Sequence, residues 1–155
     1  MTRIKIVTIG EVRQKFILQG EAEYLKRLKP HCKIELVEIR TEKFAKLEER
    51  ERKKREAELV LSKLQGSQYW LLDERGAQFT STELSLQLDA ARNGGISSFT
   101  FVIGAAHGID RTVKDSAQRL WSLSKLTFPF QLTRLILIEQ LYRAVSIQKG
   151  SPYHK

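Results

Sequence analysis

The run Phe99-Thr100-Phe101-Val102-Ile103-Gly104 decides the fold. It is apolar almost throughout and has strand length, as parallel strands covered on both faces tend to be. A glycine closes it. Working outward, Tyr69-Trp70-Leu71-Leu72 has the same character, and Ile4-Lys5-Ile6-Val7-Thr8-Ile9 and Lys33-Ile34-Glu35-Leu36-Val37-Glu38-Ile39 are further strand-length runs rich in β-branched residues. Helix-like segments separate them. Residues 12–29 set Ile17, Tyr24, Leu25 and Leu28 on one side, and residues 42–65 are charged, with Leu59, Val60 and Leu64 near the end. Thr80-Ser81-Thr82-Glu83 reads as a capping box ahead of Leu84, Leu88 and Ala91, and Asn93-Gly94-Gly95 ends that helix. Strand and helix therefore alternate. Such alternation predicts an α/β layer structure with a largely parallel sheet and helices on both faces.

The final third breaks the rhythm. Trp121-Ser122-Leu123-Ser124-Lys125-Leu126-Thr127 alternates apolar and polar residues like a short strand or extended loop, and Thr127-Phe128-Pro129 offers Thr127 as a helix N-cap with proline in the first turn. In the helix that follows, the apolar positions between Phe130 and Ile147 go most of the way round. A helix apolar on several faces must be covered on several faces. Part of it is therefore expected to pack against a second copy, most simply in a two-fold dimer.

With 155 residues and 41% hydrophobic content, the chain is expected to form one domain, residues 1–155. The apolar stretch from Leu132 to Ile147 is interrupted by Arg134, Glu139, Gln140 and Arg143 and is shorter than the ~20 residues of a membrane span. Lys5 stands where a secretory signal would be apolar, so the expectation is a soluble, cytoplasmic protein. Cys32 is the single cysteine, and His31, His107 and His154 are isolated, so no metal is expected.

Charge points to a polyanion. Lys and Arg number 27 against 18 Asp and Glu, net +9. Between Arg119 and Lys155 there are six basic residues and the single acid Glu139. The densest run, Glu48 to Glu56, mixes both signs at i,i+4 spacing, as a solvated helix does, with RNA contact as the other reading. Arg134, Arg143, Lys149, His154 and Lys155 are the expected phosphate contacts.

Several chemistries lack their signatures. Gly104-Ala105-Ala106-His107-Gly108 keeps only the outer pair of glycines of a dinucleotide fingerprint, and neither a P-loop nor a G-x-S-x-G elbow is present. Gly104 nevertheless ends the most apolar strand, and open parallel sheets bind ligands beyond the carboxyl ends of their strands.

Trp121 to Arg134, Glu139-Gln-Leu-Tyr-Arg-Ala144, Lys149-Gly-Ser-Pro-Tyr-His-Lys155 and Phe101-Val-Ile-Gly104 together resemble the RlmH (YbeA-like) family of SPOUT methyltransferases. The resemblance spans the chain in length and element order. It implies a C-terminal trefoil knot, a homodimer seam on the last helix, S-adenosylmethionine as cofactor, and N3 methylation of a pseudouridine in 23S ribosomal RNA, free or in the assembled ribosome. Carried over by position, it implies a cofactor site at Leu72, Gly104, Leu123, Ser124, Lys125, Leu126, Thr127 and Phe128. Removing the imide proton of N3 calls for a base or a cationic stabiliser, for which His154, Tyr153 and Arg143 are the candidates and Glu139 a further one. Arg143 has a dimer salt bridge as its other reading. The chain departs from the family pattern at Ala105, usually glycine, and at Phe130, usually histidine. A non-catalytic RNA- or ribosome-binding module of the same fold, and a SPOUT enzyme acting on transfer RNA, are the alternatives.

Overall fold

The computed structural model describes all of residues 1–155. Five strands, β1 (Thr2–Ile9), β2 (Cys32–Ile39), β3 (Trp70–Gln78), β4 (Ser98–Ile103) and β5 (Arg119–Ser122), form one sheet in the order β2-β1-β4-β3-β5. Every pairing is parallel, as the apolar strand runs predict. Four helices connect them, α1 (Lys15–Leu28), α2 (Glu49–Leu64), α3 (Ser81–Asn93) and α4 (Arg111–Ser116), and a fifth, α5 (Phe130–Gln148), follows β5. No helix is long and apolar enough to cross a membrane.

Alternate residues of the strands feed two cores. Ile4 and Ile6 of β1 with Phe99, Phe101 and Ile103 of β4 meet α1, α3 and α5 on one face. Val7, Ile9, Leu71 and Val102 point the other way, against Ala57, Val60 and Leu64 of α2 and Val113 of α4. Helices thus cover both faces. Tyr69 fixes the short α4 through its hydroxyl, which donates to the Val113 carbonyl at 2.5 Å.

Local signals explain much of this. Thr80 Oγ1 accepts from the Glu83 amide and the Glu83 carboxylate accepts from the Thr80 amide, so the capping box that starts α3 is complete. The expectation for α5 needs correction. Its N-cap is Pro129 and its first residue Phe130, because the Thr127 hydroxyl is turned to the Glu74 carboxylate, 2.7 Å away. Three elements differ from the sequence reading, among them β5, which spans Arg119–Ser122 and leaves 123–127 of the alternating stretch as loop. β3 runs on past Leu72, and α4, only six residues long, follows an Asp110 side chain that caps the Thr112 amide.

α5 returns from the sheet edge to the middle, packing against α1, α3 and β4. It buries Leu137, Ile138, Leu141 and Ala144 in the first core. Leu132, Leu135, Ile136, Val145 and Ile147 stay half-exposed.

Candidate active site

The carboxyl ends of β3, β4 and β5 open into a cleft of about 660 Å³. Its walls are the 72–75 stretch of β3, the turn after β4 and the segment that leads from β5 to α5. The first wall exists because of an irregularity. Leu72 pairs with Trp121, and five residues later Ala77 pairs with the same Trp121, so Asp73 to Gly76 arch out of the ladder. Gly76 permits the arch: a Cβ there would fall on the Leu120 carbonyl and the Trp121 nitrogen. Trp70 and Trp121 meet edge to face at 6.0 Å between ring centres, which anchors β5 beside β3 under the cleft.

The segment after β5 is shaped by its own serines. Ser122 Oγ donates to the Ser124 carbonyl at 2.8 Å, and Ser124 Oγ accepts from the Leu126 amide at 3.0 Å. The Thr127–Glu74 bond then ties this segment to the arch of β3. Leu123, Lys125, Thr127, Phe128 and Gly104 take no part in backbone–backbone hydrogen bonds. The cleft therefore presents main-chain donors and acceptors next to apolar Leu72, Leu126 and Phe128.

Charge enters through Asp73 and Lys114, both lining the cleft and 3.1 Å apart. Burial by itself would raise the Asp73 carboxyl, but the Arg75 amide and the Lys114 ammonium together outweigh it and hold the group below the usual aspartate range.

Of the eight residues expected to hold the cofactor, seven line the cleft: Leu72, Gly104, Leu123, Ser124, Leu126, Thr127 and Phe128. Lys125 does not; it is exposed outside. Sequence reasoning missed Asp73, Glu74, Lys114, Ile109 and Thr133, all cleft residues. For Asp73 and Glu74 the available signal was Gly76, since a glycine inside a strand often marks a bulge.

The basic residues separate into unlike groups. Arg134 is not a phosphate contact: it is 2% exposed, its Nε and Nη2 donate to Glu21 and its Nη1 donates to Glu38 at 2.7 Å. Burial opposes its charge, yet the two carboxylates outweigh that and raise its pKa above the ordinary arginine value. Arg143 is engaged within its own helix, donating through Nε and Nη2 to Glu139 at 3.0 and 2.6 Å. Its guanidinium also lies over the Tyr153 ring at 4.8 Å, with Nη1 3.3 Å from His154 Nδ1. The Tyr153 hydroxyl donates to Glu139 at 3.0 Å; burial, then its bonds to Tyr24 and Glu139, push the phenol well above its ordinary value. None of these three tail-linked side chains lines the cleft of its own chain. Lys149, His154 and Lys155 are exposed.

A parallel sheet whose carboxyl edge is closed by a loop without backbone–backbone hydrogen bonds defines an α/β protein with a ligand-sized cleft at the ends of its strands. The chain belongs to the SPOUT methyltransferases: the family model described as "Predicted SPOUT methyltransferase" matches residues 2–154. It is 44% identical, over 99% of both chains, to a ribosomal RNA large subunit methyltransferase H of Acetivibrio thermocellus. Proteins of the same name from Desulfitobacterium hafniense and Gloeobacter violaceus are 41% and 42% identical, over 100% and 98% of both chains.

Proposed function

We propose that residues 1–155 act as one cytoplasmic domain that binds S-adenosylmethionine in the cleft and methylates N3 of a pseudouridine in 23S ribosomal RNA as a homodimer. The observation carrying this reading is the cleft itself, which joins a glycine-ended strand to a loop whose amides and carbonyls have no backbone partners. The donor set fits the group. Adenine needs edge-on main-chain partners and apolar faces, supplied here by the 123–128 loop with Leu72, Leu126 and Phe128, and a Cβ-free Gly104 allows close main-chain approach.

When bound, the cofactor supplies a methyl group on a sulfonium sulfur. What the chain contributes is alignment, and well-oriented reactants gain the equivalent of ~7–11 kcal/mol from positioning. N3 must also shed its proton. His154 is the acceptor in this reading, with Arg143 stabilising the developing charge and Tyr153, a phenol held protonated, acting as hydrogen-bond donor. The three sit on the flank of α5 beside Glu139, away from their own cleft, which supports delivery to the cleft of a second copy. The half-exposed apolar residues of α5 support the same dimer. The trefoil knot belongs to the reading too: from edge strand β5 the chain crosses the carboxyl ends of the strands before α5 tucks back against β4.

Mass spectrometry of ribosomal RNA nucleosides from cells with and without this protein tests the proposal. A methylated pseudouridine that disappears with the protein supports it. Its persistence, or methyl transfer by the purified chain to transfer RNA and not to ribosomes, overturns it.

A further inference from the structure

We infer that His107 is a positioning residue for the cofactor cleft, holding the turn after β4 from behind through buried Glu56. The inference rests on the reading of that cleft as an adenosylmethionine site. The turn has two sides. Gly104, Ala105, Ala106 and Gly108 face the cleft, whereas His107 does not line it. The turn closes on itself through the Gly108 amide, which donates to the Ala105 carbonyl at 3.0 Å, with Gly108 at φ +91°. That geometry swings the His107 ring towards α2, where its Nε2 lies 2.8 Å from Glu56 Oε2.

Glu56 makes this contact more than a surface pairing. Its side chain is 1% exposed, and its second oxygen, Oε1, has no hydrogen-bond partner. His107 is thus the sole polar partner of a buried carboxyl group. Neighbours on α2 fix where that carboxyl sits: Ala57 and Val60 are buried in the second core, against which Ala105 and Ile109 of the turn also pack. The helix is therefore a rigid post, and the bond to His107 is the polar tie from that post to the cleft wall.

Losing one partner of a buried pair leaves the other unsatisfied, a penalty larger for a charged group than for a neutral one. The turn relieves that penalty by moving. Motion there shifts the main chain of Gly104 and Ala106, the surface a nucleoside would touch. In the intact pair the wall is pre-organised, and less ordering is left to binding.

Calorimetric titration with adenosylhomocysteine tests this. The expected result is a Kd about tenfold weaker for His107→Ala and close to the parent's for His107→Gln, whose amide N–H can still donate to the Glu56 carboxylate. In methyl transfer, His107→Ala should raise KM for adenosylmethionine and leave kcat within about twofold, a split that general loss of folded protein does not produce. Equal affinity in parent and His107→Ala, or a His107→Gln variant as weak as the alanine one, overturns the positioning role. Should His107→Ala fail to fold, Glu56→Met takes its place, removing the oxygen that pairs with His107 at similar side-chain volume, with a weakened Kd expected and an unchanged Kd overturning the role. If the parent chain itself binds no adenosylhomocysteine at millimolar concentration, the cleft reading fails first and this inference falls with it.

Discussion

Arg134 and Glu21, 113 positions apart in sequence, form a two-pronged buried pair in which Nε holds one carboxylate oxygen at 2.6 Å and Nη2 the other at 2.8 Å. Glu38 completes the set on the third side, while its own Oε1 also accepts from the Val12 amide at 3.3 Å. Three elements, α1, β2 and α5, are thereby tied at one point. Such geometry is two-sided in energy: a buried ion pair adds little over an apolar isostere, but removing one partner strands a charge. Arg134→Ala should cost about 3–5 kcal/mol of unfolding free energy, read from urea denaturation. An alanine variant as stable as its parent would show that the two carboxylates find other partners.

Gly104 and Gly76 stand on opposite walls of the same cleft and should respond differently to a side chain. At Gly104 a Cβ meets only Ile109, at an ordinary 3.4 Å, so Gly104→Ala should fold and melt close to the parent. Gly104→Val adds methyl groups at the cleft floor, and calorimetry should register no adenosylhomocysteine binding while the oligomeric state is unchanged. Gly76 has no such slack, because its Cβ would collide with backbone that cannot rotate away. Gly76→Ala should lower stability by about 1–3 kcal/mol or more, visible as a drop in melting temperature. If Gly76→Ala melted like the parent, the arch between Leu72 and Ala77 would not be held by that close approach.

The contrast between these residues shows what the sequence made legible. β4 and the start of β3 were readable because burial on both faces demands unbroken apolar runs, β1 and β2 through their β-branched residues, and α3 because its cap and its Gly94-Gly95 stop are local chemistry. The 123–128 segment was readable as cofactor loop only through its family resemblance. Lys125 shows where that transfer ends, since its side chain faces solvent while its neighbours line the cleft. The arch at Asp73 was signalled only by Gly76, and that signal becomes readable once the stretch is known to be strand, which depends on β5 lying alongside. Charge counting failed at Arg134 for a related reason: whether an arginine faces water or two glutamates is set by how α5 docks. Thr127 is the same lesson in miniature, a good capping residue drawn away by Glu74.

Cys32 offers a prediction about pH. Its side chain is 4% exposed at the start of β2, and burial alone pushes the thiol up to about 11, from an ordinary value near 9. At neutral pH the folded protein therefore holds an inert thiol, and a disulfide-exchange reagent should label Cys32 rapidly only after unfolding. The stability consequence follows from the direction of the shift. Because the folded value lies above the unfolded one, the contribution is fully present below about pH 9 and declines as pH rises towards 11. Cys32→Ala should show less stability loss over that interval than the parent, and parallel curves would refute the assignment.

The exposed basic residues after α5 should act through phosphate, in contrast to Arg134. Lys149 and Lys155 carry no ion pair, and both are exposed. A residue that neutralises one phosphate releases about one condensed counterion, so each contributes close to one unit to the slope of log affinity against log salt. Lys149→Ala and Lys155→Ala should each weaken binding to ribosomal RNA and flatten that slope by about one unit, with the melting temperature unchanged. Arg134→Ala should do the reverse, losing stability while the folded fraction keeps the parent's slope. Filter-binding titrations across a range of salt concentrations separate the two behaviours; a flattened slope for the Arg134 variant alone would mean that the buried network opens to meet the RNA.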